Sequence, residues 1–302
     1  MRRRVKFELV GGIGNQLFIY AAGQWFARQF GWSVSYDARM LSIEKAHGGL
    51  ITDLRITGAV ATLNGKLTLG RLIASLERVK RKLLKNLSER GFGRIFGRGI
   101  FIGGHDFTPD SIVKNGYKYV SAYFQTHRYS AEMLSSLKVE YQLKFESTWL
   151  IEKRAMARKT AVLAIHIRRG DYVSLRESFG LLSAEYYRNA IEVLRNRGFH
   201  WDEIWIFSDD IEGARELISA VVTNENVWYI EPPKGTNPIE SLMLFSESSV
   251  AIIANSTFSW WASFLSTSTK AVVAPSNWFR ASPDPQELVP DSWLVIPSDW
   301  LD

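Results

Sequence analysis

A short apolar run from Ala161 to Ile167 ends abruptly in Arg168-Arg169-Gly170-Asp171. A run of this length, β-branched in part, reads as an interior strand of a parallel sheet, and such a strand stops in two guanidiniums and a carboxylate when its end faces a ligand. Arg168 and Arg169 are adjacent, so they point to opposite faces of the sheet. One is then free to address an anion while the other pairs with a carboxylate such as Asp171. An arginine fork suits phosphate because it donates two parallel, charge-assisted hydrogen bonds. A surface Arg–Asp pair that simply closes the strand is the plainer alternative.

Two more strands repeat the pattern. Glu203-Ile204-Trp205-Ile206-Phe207 ends in Ser208-Asp209-Asp210, which brings two carboxylates to the same sheet edge. They can accept from sugar hydroxyls or from the N–H edge of a purine, although one of the two is equally suited to capping the helix that follows. Val250-Ala251-Ile252-Ile253-Ala254 runs into Asn255-Ser256-Thr257-Phe258-Ser259-Trp260-Trp261, a cap-type residue followed by small hydroxyl residues at the start of an apolar helix. The free N–H groups and positive dipole end of a first helical turn favour phosphate, with the Ser256, Thr257 and Ser259 hydroxyls as further donors.

The remaining elements organise around these strands. Lys6 to Val10, a turn at Gly11 to Asn15, a helix from Gln16 to Phe30 and a strand Ser33 to Tyr36 make a first β-α-β unit. A helix is expected near Ser130, a linker over Lys138 to Lys159, and helices at Ser183 to Arg197, Glu212 to Ala220 and Ile239 to Glu247. Asn237 caps the last of these, Pro238 fits its first turn, and Glu240 completes a capping box. The fold class is α/β, with two Rossmann-like domains, 1–145 and 146–302, facing one cleft. Gly12-x-Gly14 with Asp37 ending the next strand imitates a dinucleotide fingerprint, but Leu17 stands where its third glycine belongs.

Six blocks, in order, carry a resemblance: Gly11-Gly12-Ile13-Gly14-Asn15-Gln16-Leu17-Phe18, Ala122-Tyr123-Phe124-Gln125, His166 to Asp171, Ser208 to Asp210, Asn255 to Trp261, and Pro275-Ser276-Asn277-Trp278-Phe279. Together they resemble the α-1,2-fucosyltransferases, inverting enzymes that move L-fucose from GDP-fucose to the 2-hydroxyl of a galactoside. The resemblance implies the GT-B architecture, with an acceptor-side N-terminal domain and a GDP-fucose-binding C-terminal domain. It implies that Gly14 and Asn15 approach the sugar-phosphate and that Arg168 meets the charge growing on the β-phosphate as the bond to fucose breaks. Asp209 or Asp210 would hold the guanosine, Asn255, Ser256, Thr257 and Ser259 the diphosphate, with Asp171 also on the donor side. Tyr123 and Gln125 are acceptor candidates on this likeness alone. His166 either contacts phosphate or ribose or is a buried histidine satisfied by backbone. The base that takes the acceptor proton is not identified; Asp37, Glu240 and His166 are candidates by type only.

Composition narrows the partners. There are no cysteines, no Asp-x-Asp triplet, and five histidines without paired ligand spacing, so neither disulfides nor a metal or other cofactor is expected, GDP-fucose being a co-substrate. The net charge of +6 is local: residues 71–98 hold nine Lys or Arg against two Glu, which leaves the rest of the chain about −1. Leu72, Leu76, Val79, Leu83 and Leu87 recur there at helical spacing among Arg78, Lys80, Arg81, Lys82 and Lys85. Such a helix either packs its leucines inward or docks on an anionic membrane. No nucleic-acid partner is expected. The basic start, Met1 to Phe7, reads as a first strand because no apolar stretch follows it, and no run reaches the roughly 18 residues of a spanning helix. These points favour a cytoplasmic bacterial enzyme, peripheral on the inner membrane face if the basic helix docks, acting in surface polysaccharide synthesis. Two other readings stand beside it, an NAD-dependent oxidoreductase and a polyanion- or membrane-binding module.

Overall fold

A computed structural model describes residues 2–39, 41, 49–62, 100–223 and 225–301. The basic segment 71–98 and its predicted helix lie outside the described residues. The chain divides into two compact units, Met1–Gln142 and Leu143–Asp302.

In the first unit, five parallel strands are ordered β3-β2-β1-β5-β4, where β1 is Arg4–Glu8, β2 Ser33–Asp37, β3 Ala59–Ala61, β4 Ile100–Ile102 and β5 Tyr119–Ser121. The first strand starts two residues before the expected Lys6. Helix α1, Ile13–Phe30, begins inside the glycine block rather than after it. Gly12 in extended backbone already serves as its N-cap residue, so the helix needs no separate cap side chain. Its residues from Leu17 to Ala22 are all buried, and it packs against a helix at His127–Glu140. Gly31, in the left-handed region, ends it.

In the second unit, six parallel strands are ordered β8-β7-β6-β9-β10-β11, where β6 is Val162–Ile167, β7 Glu203–Ser208, β8 Val227–Tyr229, β9 Val250–Ile252, β10 Ala271–Pro275 and β11 Leu294–Ile296. This is the 3-2-1-4-5-6 order of a doubly wound dinucleotide-type sheet. All six residues of β6 are buried, and each fully buried large apolar side chain contributes about 1.5–3 kcal/mol. Leu163, Ile165 and Ile167 face a core completed by Tyr186, Tyr187 and Ala190 of the helix Ala184–Asn196. His166 therefore points to the opposite face, as Arg168 does two residues later.

The predicted linker, Lys138 to Lys159, is helical at both ends. The helix from His127 runs to Glu140, and Thr148–Ala157 is a helix of its own, capped by Ser147, whose hydroxyl accepts from Leu150 N. Glu240 explains why. Rather than completing a capping box at the helix Pro238–Phe245, it is buried and accepts from Ser147 N at 3.3 Å and from the Ser147 hydroxyl. Asn237 does cap its own helix, accepting from Ile239 N at 3.0 Å. The architecture is α/β with two Rossmann-like units.

Candidate active site

In the larger sheet, the strands on either side of one line run in opposite sequence order, and residues singled out above gather at the carboxyl ends of the strands flanking that line. In the second unit the line falls between β6 and β9, with β7 alongside β6.

The ends of β6 and β7 form a lattice of charge. Arg168 Nη1 lies 2.8 Å from Asp209 Oδ2, and Arg168 Nη2 bonds Asp171. Asp209 is anchored a second time, because its Oδ1 accepts from Arg169 N at 2.9 Å. A Cβ on Gly170 would overlap the Asp209 carboxylate, so glycine there is what lets the carboxylate approach. Arg169 turns the other way, as adjacent strand-end residues must, and pairs with Asp210 Oδ2 at 3.1 Å. Asp210 Oδ1 accepts from Gly213 N at 3.0 Å and caps the helix Ile211–Ser219. The bond from Gly213 N, with Arg169, holds its carboxyl below the usual range although its partial burial acts the other way. Of the two carboxylates, Asp210 is thus the helix cap, paired with Arg169, and Asp209 the partner of Arg168. The pairing of Asp171 is with Arg168 itself, so both ends of that guanidinium already carry a carboxylate.

At the third strand end, Asn255 is not a helix cap. It is buried, and its amide donates to Phe179 O at 2.9 Å and Trp278 O at 3.1 Å, while its own carbonyl accepts from the Tyr172 hydroxyl at 3.2 Å. It staples together the loops that follow β6 and β10. The N-cap of the helix Thr257–Leu265 is Ser256, which makes no side-chain capping bond, and Thr257 is half-buried in its first turn. Ser259 is fully buried and donates to Ser256 O at 3.3 Å within its own helix, so it offers no hydroxyl outward.

His166 is 4% exposed and packs on Phe258 with ring centroids 5.2 Å apart. Its Nδ1 has no hydrogen-bond partner, so no backbone group satisfies that atom. Burial, then the Arg168 charge, pushes its pKa down to about 3. Tyr172, which the sequence reading passed over although it follows Asp171 directly, stands beneath the Arg168 guanidinium at 5.0 Å from its ring.

In the first unit the residues of interest stand at the carboxyl ends of the neighbouring parallel strands β1 and β5. Gly11 has φ +72°, and a Cβ there would overlap the Asn15 amide. Gly14 is buried in the first turn of α1. Asn15 Oδ1 accepts from Gln125 Nε2 at 2.8 Å, joining the first turn of α1 to the loop after β5. Gln16, quoted in the glycine block without a role, is fully buried and holds the turn: it donates to Gly11 O and Gly49 O and accepts from Ile51 N at 3.0 Å. Tyr123 is half-buried and stacks on His105, with centroids 5.1 Å apart and planes 11° from parallel. Between Tyr123 and Gln125, Phe124 is held at φ +55°, a conformation that costs a non-glycine residue roughly 1–2 kcal/mol. Asp37 is tied to Arg39, whose bonds hold its carboxyl below the usual range against a burial effect that would raise it.

The residues named from the ends of β6 and β7 meet in one network, Asn255 reaches it through the Tyr172 hydroxyl beneath Arg168, and Asn15 meets Gln125 in the first unit. A doubly wound sheet with paired arginines at its switch point is the frame of an enzyme acting on an anionic leaving group. The chain belongs to glycosyl transferase family 11, whose model matches residues 80–294. The alpha-1,2-colitosyltransferase of Escherichia coli is 27% identical over 298 residues, covering 96% of this chain and 97% of that protein. The O-antigen biosynthesis glycosyltransferase WbnK of Escherichia coli is 27% identical over 312 residues, covering 95% and 99%. Among solved structures, a mutant Arabidopsis thaliana FUT1 in complex with GDP matches with a TM-score of 0.50 at 13% identity, covering 92% of this chain and 72% of that one, a likeness of fold. The protein is a glycosyltransferase of the α-1,2-fucosyltransferase family, with a nucleotide-sugar donor and a glycan acceptor. The dinucleotide-oxidoreductase reading of the glycine block falls with that membership.

Proposed function

We propose that this enzyme moves L-fucose from GDP-β-L-fucose to the 2-hydroxyl of a galactoside with inversion, in the synthesis of a bacterial surface polysaccharide. The observation that carries the reading is the Arg168 fork at the end of β6, the strand next to β9, whose end leads into the uncapped first turn of the helix Thr257–Leu265. The acceptor oxygen bonds to the anomeric carbon of fucose as the bond from that carbon to the β-phosphate oxygen breaks. The electron pair leaves on GDP, and Arg168 with the Ser256 and Thr257 helix start meets the growing charge. A preorganised donor of this kind contributes about 2.7–4 kcal/mol to the transition state.

None of the three base candidates is poised to take the acceptor proton. Asp37 is neutralised by Arg39, Glu240 is buried on Ser147, and His166 sits beside a cation with its basicity suppressed. In this reading the C–O bond to GDP is largely broken before the proton leaves, so the proton goes to solvent late and no strong base is needed. The first unit supplies acceptor contacts, Tyr123 and Gln125 among them, and Asn15 reaches the sugar-phosphate. Asp209 remains the candidate for the guanosine.

In this reading positive charge from Arg168 serves the leaving diphosphate without a divalent ion, an expectation that rests on the missing Asp-x-Asp triplet in the sequence. Full activity in excess EDTA is expected; an activity lost to EDTA and restored by Mg²⁺ or Mn²⁺ would refute this part. Peripheral contact of residues 71–98 with an anionic membrane on the cytoplasmic side rests on their charge in the sequence. No helix among the described residues is long and apolar enough to cross a membrane. Replacing Arg78, Lys80, Arg81, Lys82 and Lys85 with glutamine should abolish binding to anionic vesicles, each charge contributing about 1 kcal/mol; equal binding by both proteins would end that idea.

A second donor is favoured by the similarity to the colitosyltransferase. Colitose lacks the 3-hydroxyl of fucose, so one experiment decides between them: GDP release measured with GDP-fucose and with its 3-deoxy analogue over a panel of galactosides. Release with GDP-fucose and a 2-linked product supports the reading; release only with the 3-deoxy sugar replaces the donor, and release with neither rejects both.

A further inference from the structure

Tyr172 lies just outside the blocks that carried the family resemblance, yet it reaches toward both groups given above to the diphosphate. Strand β6 ends at Ile167, and the chain then makes one short helical turn, Gly170–Val173. In it Val173 N donates to Arg169 O at 3.0 Å and Leu175 N to Tyr172 O at 3.1 Å. The turn brings the half-buried Tyr172 ring beneath the Arg168 guanidinium, whose central carbon stands 5.0 Å from the ring centre. At that range a cation is drawn to an aromatic face. The phenol end of the same side chain donates to Asn255 O at 3.2 Å. Asn255 directly precedes Ser256, the N-cap residue of the helix Thr257–Leu265. One side chain therefore spans from the end of β6 to the helix start that follows β9.

This span is held in place by its own neighbours. Tyr172 stacks on Phe179, with ring centroids 4.8 Å apart and planes 19° from parallel. Phe179 O accepts from the Asn255 amide at 2.9 Å. The contacts close on themselves: Tyr172 hydroxyl to Asn255, Asn255 amide to Phe179, Phe179 ring to Tyr172. Phe279 packs on Phe179 in turn, and Asp284 Oδ1 fixes that loop by accepting from Trp278 N at 2.8 Å and Phe279 N at 3.0 Å. Burial pushes the Tyr172 phenol up to about 12, against the effect of the Arg168 charge, so the hydroxyl keeps its proton and donates throughout the neutral range. A guanidinium is planar and its N–H groups point outward within that plane. The carboxylates of Asp209 and Asp171 engage its terminal nitrogens, which leaves the tilt of the plane to the contact on its face.

We propose that Tyr172 is a positioning residue of the transfer reaction: its ring sets the tilt of the Arg168 fork, and its hydroxyl ties that fork to the helix start at Ser256, so that both meet one diphosphate at a fixed spacing. Neither action needs contact between Tyr172 and the nucleotide. The proposal rests on the transferase reading above and on the place given there to Arg168 and the Ser256–Thr257 turn.

The test is a double-mutant cycle with steady-state kinetics. Tyr172→Phe keeps the ring beneath Arg168 and on Phe179 but loses the bond to Asn255 O, whereas Tyr172→Leu loses the ring as well. The leucine variant should lose about tenfold to a hundredfold in kcat, the scale of a small misplacement, with the acceptor KM at its wild-type value. Phenylalanine should restore part of that loss, because the face contact returns without the tether. In an Arg168→Lys background the leucine change should cost no more than about twofold further, since the fork it positions is already gone. Wild-type kcat in Tyr172→Leu, an effect confined to the acceptor KM, or a full further loss in the Arg168→Lys background would overturn the proposal and leave the transferase reading intact. Absence of transfer by the wild type would overturn both. Should Tyr172→Leu fail to fold, Tyr172→Phe decides alone: a lowered kcat at unchanged acceptor KM supports the proposal, and wild-type kcat overturns it.

Discussion

The two sheets put their carboxyl ends to different uses. Each unit gathers its side chains at the carboxyl ends of parallel strands, but the second unit gathers charges and the first gathers amides and rings. Around β6 and β7, Arg168 pairs with Asp171 and Asp209, and Arg169 with Asp210. Around β1 and β5 the corresponding contacts are Asn15 to Gln125 and His105 on Tyr123, among neutral groups. A diphosphate that gains charge as its bond to sugar breaks needs the first kind of surface. A sugar, which offers hydroxyls and an apolar face, is matched by the second. The difference also separates what can be disturbed: the charged edge balances itself without ligand, whereas the neutral edge depends on hydrogen-bond direction.

The largest effect expected from breaking the contrast is at Arg168. Lysine keeps the charge but cannot hold Asp209 and an incoming phosphate through a planar fork. Arg168→Lys should lose about 10²- to 10³-fold in kcat with circular dichroism unchanged; a folded variant with near-normal turnover would remove Arg168 from the role given to it.

Gly170 offers a subtler attack on the same edge. Alanine there forces the Asp209 carboxylate away from both Arg168 and Arg169 N, since the new Cβ would occupy its place. Overpacking of this kind costs about 1–3 kcal/mol, and it should appear in GDP affinity as well as in stability. A Gly170→Ala protein that binds GDP normally would show that Asp209 does not need its present position.

The contrast extends to protonation. His166 lies on the charged edge with a pKa of about 3, depressed by burial and by Arg168. An unfolded chain takes up this proton near pH 6.5, and the folded one refuses it. The stability linked to His166 is therefore complete above pH 6.5 and is lost as pH falls from there toward about 3, with a slope of about 1.4 kcal/mol per pH unit. Denaturant titrations at pH 7 and pH 5 should show this slope in the wild type and a shallower one in His166→Asn. Equal slopes would mean that His166 accepts a proton in the folded protein.

Much of this arrangement was legible in the sequence, and what was not has a common cause. The apolar run of β6, the Asp-Asp end of β7 and the Asn237–Pro238 helix start are local signals, set by periodicity and by capping chemistry within a few residues. Partner choice was not local. Asn255 looks like a cap because small polar residues precede helices, yet its amide is spent on carbonyls 76 and 23 residues away. Glu240 fits a capping box at its own helix but serves Ser147, 93 positions earlier. The role of Gln16 could have been inferred from a lone amide at the buried start of an apolar helix, a place where a polar group must find partners. Nothing in the residues around His105 marks its stack on Tyr123, because that neighbour comes from a different strand.

The smallest expected effect sharpens the comparison most, because it asks whether the charged edge is preset for its ligand or occupied by its own carboxylates. Both terminal nitrogens of Arg168 are engaged, by Asp209 and by Asp171. The two carboxylates are not equally fixed. Asp209 is held also by Arg169 N and hemmed in by Gly170, whereas the Asp171 side chain is 49% exposed on the loop that leaves the strand. An anion arriving at Arg168 displaces Asp171 at lower cost than Asp209. Asparagine at 171 keeps the shape and removes the competing charge, so the displacement becomes easier by what an exposed pair is worth, about 0.2–1 kcal/mol. Calorimetry should then show GDP binding up to about fivefold tighter to Asp171→Asn than to the wild type, with the gain shrinking as salt screens the pair. Unchanged affinity would mean that the diphosphate takes the Arg168 N–H groups that the carboxylates leave open. Weaker affinity would mean that Asp171 orients the guanidinium for its ligand rather than competing with it.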